Sequence, residues 1–209
     1  MVLIGQYDSP FVRRVAIAML IYGIPYEHRR WSTFRDADAL AEFNPLRRVP
    51  TLILADGEVL VESSAILDHL DQLAGAESAL VPVTGDARRG VLRVCAIATG
   101  ACDKMVGLVY ELMLHDTISP VWVKRCETQV GAALDVLDAE LLRRATDFWF
   151  GGRITHADIA VACVIRFVRE ALGGTFEIGR WPNLIHHAEM CEALDPFKAT
   201  VQVFIPPTR

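Results

Sequence analysis

Two dipeptides, Val49-Pro50 and Glu62-Ser63, carry the residue types from which a binding site could be built. Pro50 opens a short apolar run. A proline at the first residue of a strand removes one ladder donor, which leaves main-chain groups of Val49 free for another partner. Glu62-Ser63 follows at the start of a helical pattern. An acid and a hydroxyl beside a helix N-terminus make a second polar site, backed by amide groups that favour anions. Folded together, the two spots suit an extended, charged, peptide-like ligand.

The elements that must position these residues can be read from the pattern. Val2-Leu3-Ile4-Gly5 reads as a brief strand. Asp8-Ser9-Pro10 then starts a helix, with Ser9 as N-cap and Pro10 as first helical residue. Val12, Val15, Ala16, Met19 and Leu20 form its apolar stripe, and Gly23 and Pro25 end it. Tyr26 to Trp31 is a weaker strand, and Asp36 to Phe43 a short helix. Thr51–Leu54 and Glu58–Val61 are strands joined by Asp56-Gly57, a strong hairpin signal. A helix from Ser63 to Leu73 follows. This β-α-β-α-β-β-α order implies a mixed four-stranded sheet with helices on its faces.

Gly75 to Gly85 reads as a linker, and from Asp86 onward the periodicity is helical. Val91, Val94, Cys95, Ala98, Cys102, Met105, Val109 and Leu112 mark one long helix. Val130, Leu134, Leu137 and Leu141 mark the next. Thr155-His156-Ala157-Asp158 opens a third with an acid three residues after the cap. Its next turns are apolar all round, which predicts a central, buried helix. Trp181-Pro182-Asn183 introduces a last helix to about Leu194, and the tail through Pro206-Pro207 is expected to be irregular. The fold class is therefore α/β plus all-α.

The chain has 209 residues, 52% hydrophobic and 22% charged, with formal net charge −5. That is ample material for a packed core. With no Lys/Arg block, a nucleic-acid partner is not expected. Ala157 to Ile165, the longest near-continuous apolar stretch, is far short of the ~20 residues that span a bilayer, and no secretory leader is visible. Cys95, Cys102, Cys126, Cys163 and Cys191 form no CxxC; they read as reduced, mostly buried thiols of a cytoplasmic protein. Zinc spacing is absent, so no metal is expected. His186-His187 reads as a surface pair, and Asp158 as a structural acid.

The segments Ser9-Pro10-Phe11-Val12-Arg13-Arg14, Phe43-Asn44-Pro45-Leu46-Arg47-Arg48-Val49-Pro50 and Glu62-Ser63-Ser64-Ala65-Ile66 together resemble the glutathione transferase family. Thr155-x-x-Asp158 and Trp181-Pro182-Asn183-Leu184 are similar to its C-terminal domain. The likeness runs over nearly the whole chain and is to bacterial cytosolic members with serine at the first-helix start. It implies a thioredoxin-like glutathione-binding domain over 1–76, a helical domain over 86–209, and a homodimer. It implies a cis Pro50, a Val49 backbone pairing with the cysteinyl part of glutathione, Glu62 and Ser63 at the γ-glutamyl end, and Arg48 near the glycyl carboxylate, with Arg35 a weaker candidate.

Ser9 falls where serine-type members activate the thiol. Glutathione attacks as a thiolate, and a free cysteine thiol has a pKa of about 8.5. Lowering it by ~2 units requires ~2.7 kcal/mol. A hydrogen bond to a charged group supplies roughly 1.5–3 kcal/mol and a helix N-terminus about 0.3–1 kcal/mol, so no general base is required. Read alone, Ser9 is a helix cap; the surrounding motifs favour the catalytic role. Tyr7 is the rival activator, or else a strand-end aromatic. No cysteine precedes residue 95, so a protein thiol for mixed-disulfide chemistry is missing. The expected activity is conjugation of glutathione, as co-substrate, to a small electrophile. The alternatives are a glutathione-dependent reductase or isomerase on the same site, and a non-catalytic binding or regulatory protein of this fold. Met105, Leu108, Tyr110, Leu112 and Met113 could wall the electrophile pocket or be plain core.

Overall fold

The computed structural model describes residues 1–144 and 146–208. Strand β1 (Val2–Ile4) leads into helix α1 (Pro10–Ile21), strand β2 (Glu27–Arg29) and the short helix α2 (Ala37–Ala41). The hairpin β3 (Thr51–Ile53) and β4 (Val59–Val61) precedes α3 (Ser63–Ala74). The expected mixed four-stranded sheet forms in the order β2-β1-β3-β4. β1 runs parallel to β2 and antiparallel to β3, with Leu3 opposite both His28 and Leu52. Leu3 and Leu52 are fully buried in the main core. Ile4, also fully buried, points to the other face by the period-two alternation of a strand. The hairpin turn uses Gly57 at φ 92°, with Asp56 accepting the Glu58 N–H.

The remaining chain is helical: α4 (Gly85–Leu114), α5 (Pro120–Leu141), α6 (His156–Leu172), α7 (Pro182–Glu192) and α8 (Asp195–Lys198), with a 3-10 turn at Ile178–Arg180. α6 is buried over every residue from His156 to Ile165 and packs against α1, α4 and α7. Its start is a full capping box. The Asp158 carboxylate accepts from Thr155 N, Thr155 Oγ1 and Trp149 N at 2.6–2.8 Å. His187 Nε2 lies 3.3 Å away from it.

Several expectations need correction. His187 is not on the surface: it is 4% exposed, while His186 is exposed as expected. The reason is α7's docking on α6, which turns one of two adjacent histidines inward onto Asp158. Residues 75–84 carry no helix or strand, in keeping with the linker expected there, and they pack closely. Ala79, Leu80 and Val81 are buried, the Leu80 N–H donates to the Tyr22 hydroxyl at 2.7 Å, and Arg153 donates to the carbonyls of Glu77, Ser78 and Ala79. α8 and the 3-10 turn are too short to show as periodicity. Residues 201–208 are irregular, as expected.

The two parts of the chain are stitched by buried polar groups. Asp71 on α3 accepts from the Tyr22 hydroxyl, from Leu80 N and from His156 Nε2 at 2.8 Å. Arg13 on α1 makes a two-pronged ion pair with Glu192 on α7 and donates to the carbonyls of Phe197 and Thr200.

Candidate glutathione site

Ser9 caps α1 in extended geometry, its Oγ accepting the Val12 N–H at 3.4 Å. Gly5, at φ 132°, makes this approach possible. A Cβ there would sit 2.5 Å from Val12 Cγ2 and 2.8 Å from Val49 Cβ. Without that clearance the start of α1 and the loop carrying Val49 could not close on the end of β1. Asn44, almost fully buried, shapes that loop from inside: its Nδ2 donates to Arg48 O at 2.8 Å and to Thr51 Oγ1 at 3.1 Å, and its Oδ1 accepts the Leu46 N–H. The Val49-Pro50 peptide is cis. The register of the hairpin, Thr51 opposite Val61, brings Pro50 and Glu62 out side by side at one end. The two dipeptides are therefore neighbours in the fold.

Glu62 holds a left-handed backbone, φ 72° and ψ 123°, unusual for a residue with a side chain. Its Oε1 accepts the Ser63 hydroxyl at 3.1 Å and the Ser64 N–H at 3.2 Å. Glu62 is exposed and Ser63 is buried. Strain held by such a network concentrates at ligand clamps.

Ser9, Arg48 and Val49 line one cleft of about 770 Å³ between the sheet part and α4. Pro50, Glu62 and Ser63 lie beyond its lining, around the end of the hairpin. Arg48 Nη2 reaches Asp103 Oδ1 on α4 at 3.7 Å, spanning the cleft. Arg35 also lines it, with its guanidinium on Asp36 at 3.0 Å. The apolar wall includes Phe11, Phe34, Tyr110 and Phe167. Phe34 and Tyr110 meet edge to face with centroids 5.3 Å apart. Of the five residues suggested for this wall, Tyr110 is on it; Met105 and Leu108 are fully buried core. Helical periodicity marks an apolar face without saying which turns of it meet solvent.

The irregular C-terminal segment supplies wall residues that no sequence signal announced. Phe204, Ile205, Pro206 and Pro207 line the cleft. The segment is tied down beside Ser9: Tyr7 N donates to Gln202 Oε1, and Ile205 N donates to Asp8 Oδ2, each at 3.0 Å. Burial pushes the Asp8 carboxyl above its ordinary value, against the Ile205 and Ser9 amides that favour the charge. Tyr7 does not line the cleft. Its ring stacks on His28 at 3.9 Å, its hydroxyl shares a 2.7 Å hydrogen bond with Tyr26, and burial raises its pKa. All five cysteines are buried and unbridged, and none lines the cleft. Burial pushes the Cys95 and Cys163 thiols up to about 11. Among the described residues no helix is long and apolar enough to cross a membrane, and no cluster of side chains suits a metal ion.

A four-stranded mixed sheet with a capped serine beside a cis-proline loop, followed by a helical half, is the thioredoxin-like plus all-α architecture. Comparison with known proteins agrees. Residues 3–78 match the glutathione S-transferase N-terminal domain and residues 120–189 the C-terminal domain. The chain belongs to the glutathione transferase family. It is 29% identical to the uncharacterized GST-like protein YibF of Escherichia coli K12, over 80% of this chain and 82% of that one. It is 28% identical to a probable glutathione S-transferase, GSTU1, of Oryza sativa subsp. japonica, over 93% and 86%. Among solved structures it is similar to a glutathione S-transferase of Methylobacterium radiotolerans in complex with glutathione sulfonate. The TM-score is 0.92 at 27% identity, covering 100% of this chain and 97% of that one. A glutathione S-transferase of Methylobacillus flagellatus with GSH bound gives 0.86 at 26%, covering 97% and 99%.

Proposed function

We propose that this protein conjugates glutathione to a small, apolar electrophile, with Ser9 holding the glutathione sulfur as a thiolate. The observation that carries the reading is the convergence of the Ser9 hydroxyl, the α1 N-terminus and the Val49 loop on one cleft. The Val49 backbone pairs with the cysteinyl unit, Arg48 attracts the glycyl carboxylate, and Glu62 and Ser63 take the γ-glutamyl end. Pro50 fixes the turn that presents Val49. The two glutathione S-transferase structures described above, bound to glutathione sulfonate and to GSH, support this assignment of ligand.

The Ser9 hydroxyl accepts from Val12 N and keeps its own proton for the sulfur, so capping and activation coexist. The thiol proton leaves to solvent. The sulfur lone pair forms a bond to the electrophilic carbon, and with an aryl halide the halide departs with the electrons of the broken bond. The aromatic wall from Phe11 to Phe204 receives the electrophile. Five unbridged, buried thiols suit a reducing, cytoplasmic compartment. A homodimer fits the same reading.

Isothermal titration with glutathione tests it. Saturable heat at micromolar to millimolar concentration, together with turnover of a generic aryl halide, is expected. Absence of heat and of any thermal shift at high glutathione would sink the reading.

A further inference from the structure

Helix α4 presents Asp103, Val106, Gly107 and Tyr110 to the cleft, a stripe at three- and four-residue spacing. Gly107 leaves a gap in that stripe. An interior glycine weakens a helix, and neither backbone nor packing asks for one here. Gly90 on the same helix is different, since a Cβ there would come within 2.8 Å of Phe150 Cε1. At Gly107 a Cβ would meet one neighbour, Trp122 Cζ2 on α5, at an ordinary 3.7 Å.

Trp122 stands just outside the lining of the cleft and is 37% exposed. Lys104 Nζ lies over its ring, 5.8 Å from the centroid, and holds the indole by cation–π attraction. Cζ2 belongs to the benzo edge of the indole, so that edge is turned toward the gap at Gly107. Ring edges carry partial positive charge and ring faces partial negative charge. An aromatic ring lying over Gly107 can therefore offer its face to the Trp122 edge. Phe34 and Tyr110 already make this kind of contact on the cleft wall, with centroids 5.3 Å apart. The cleft, about 770 Å³, is in the size range that encloses a drug-sized molecule.

Resting on the conjugation reading above, we propose that the electrophile is an elongated aromatic compound of at least two rings, its far ring lying over Gly107 against the edge of Trp122. The reacting carbon then faces the glutathione sulfur near Ser9. Gly107 determines specificity because its missing side chain is the opening, and Trp122 is the surface the opening leads to.

The test is steady-state kinetics of the full chain at saturating glutathione with 2-chloroacetophenone and 4-(chloroacetyl)biphenyl, which share a reacting group and differ by one ring. In both, the sulfur bonds to the methylene carbon, chloride leaves with the electrons of the broken bond, and the thiol proton goes to solvent. Wild-type kcat/KM should favour the biphenyl about tenfold. Gly107→Leu should lower kcat/KM for the biphenyl about tenfold and leave the smaller compound within about twofold. Trp122→Ala should cost the biphenyl about fivefold with the same selectivity, and Trp122→Phe should recover part of it. If Gly107→Leu does not fold, Gly107→Ala carries the test, with about a threefold loss confined to the biphenyl and a thermal midpoint raised by about 1–4 °C. Equal losses on both electrophiles, no loss on the biphenyl, or a loss in the Gly107 variant with none in Trp122→Ala would overturn the proposal. Wild-type protein that turns over neither compound would refute the conjugation reading and this proposal together. Wild-type protein that conjugates both without favouring the biphenyl would refute this proposal alone.

Discussion

Ser9 Oγ accepts the Val12 N–H at 3.4 Å, a long bond that leaves the hydroxyl proton free to turn toward the cleft. A hydroxyl has one donor and two acceptor sites, so the structural and the proposed chemical roles do not compete. Ser9→Ala should therefore lower turnover of an aryl halide at neutral pH about tenfold or more, with glutathione affinity little changed. Steady-state kinetics beside calorimetry would check this. Unchanged turnover would remove Ser9 from the chemistry. Tyr7 is poorly placed to replace it, since its hydroxyl is committed to Tyr26 and its ring to His28. At this scale much was legible. Ser9 as cap, Pro10 at the first helical position and the Asp158 capping box follow from local chemistry, because each partner lies within four residues. His187 and Arg14 were not legible. Their burial is decided by which helix packs against them, α6 in one case and the domain junction in the other.

Elements place these residues through a few buried polar junctions. Asp158 accepts from two backbone N–H groups and a hydroxyl and faces His187, at zero exposure. Asp158→Ala leaves those groups buried without an acceptor, and stability should fall by about 3–5 kcal/mol in urea unfolding. A fall of less than about 1 kcal/mol would show that the junction relaxes. The C-terminal segment is the other placing element. Truncation after Gln202 removes Phe204, Ile205 and the two prolines from the cleft wall. KM for an apolar electrophile should rise about tenfold while glutathione affinity stays the same; equal loss on both would assign the segment a purely structural role. The helices of the second half and the hairpin were legible because their periods and turn residues are strong. The wall built by the tail was not, since an irregular segment has no period, and its position depends on Asp8 and Gln202 contacts nearly 200 residues apart in the chain.

At the scale of the molecule, the two halves meet through Asp71, Tyr22, His156 and the packed connection at Leu80. Burial lowers the His156 pKa, ahead of the Asp71 contact that opposes it, and burial lowers that of His28 as well. Below the ordinary imidazole value of about 6.5 the unfolded chain takes up protons before the folded one does. Stability is thus complete above that pH and declines as pH falls through the window beneath it. Thermal midpoints should drop between about pH 7.5 and 5.5, and His156→Gln should flatten the slope; a slope unchanged by that substitution would locate the linkage elsewhere. This junction, with the Arg13–Glu192 pair, joins the sheet half to the helical half, and in the cleft between them Ser9 and Arg48 on one side face Asp103 and Tyr110 on the other. The most direct test of the whole account is the ultraviolet titration of the glutathione thiol in the binary complex. The account predicts a thiol pKa about 2 units below the free value of about 8.5, returning toward that value in Ser9→Ala. Bound glutathione whose sulfur titrates at its free value in the wild-type protein would contradict it.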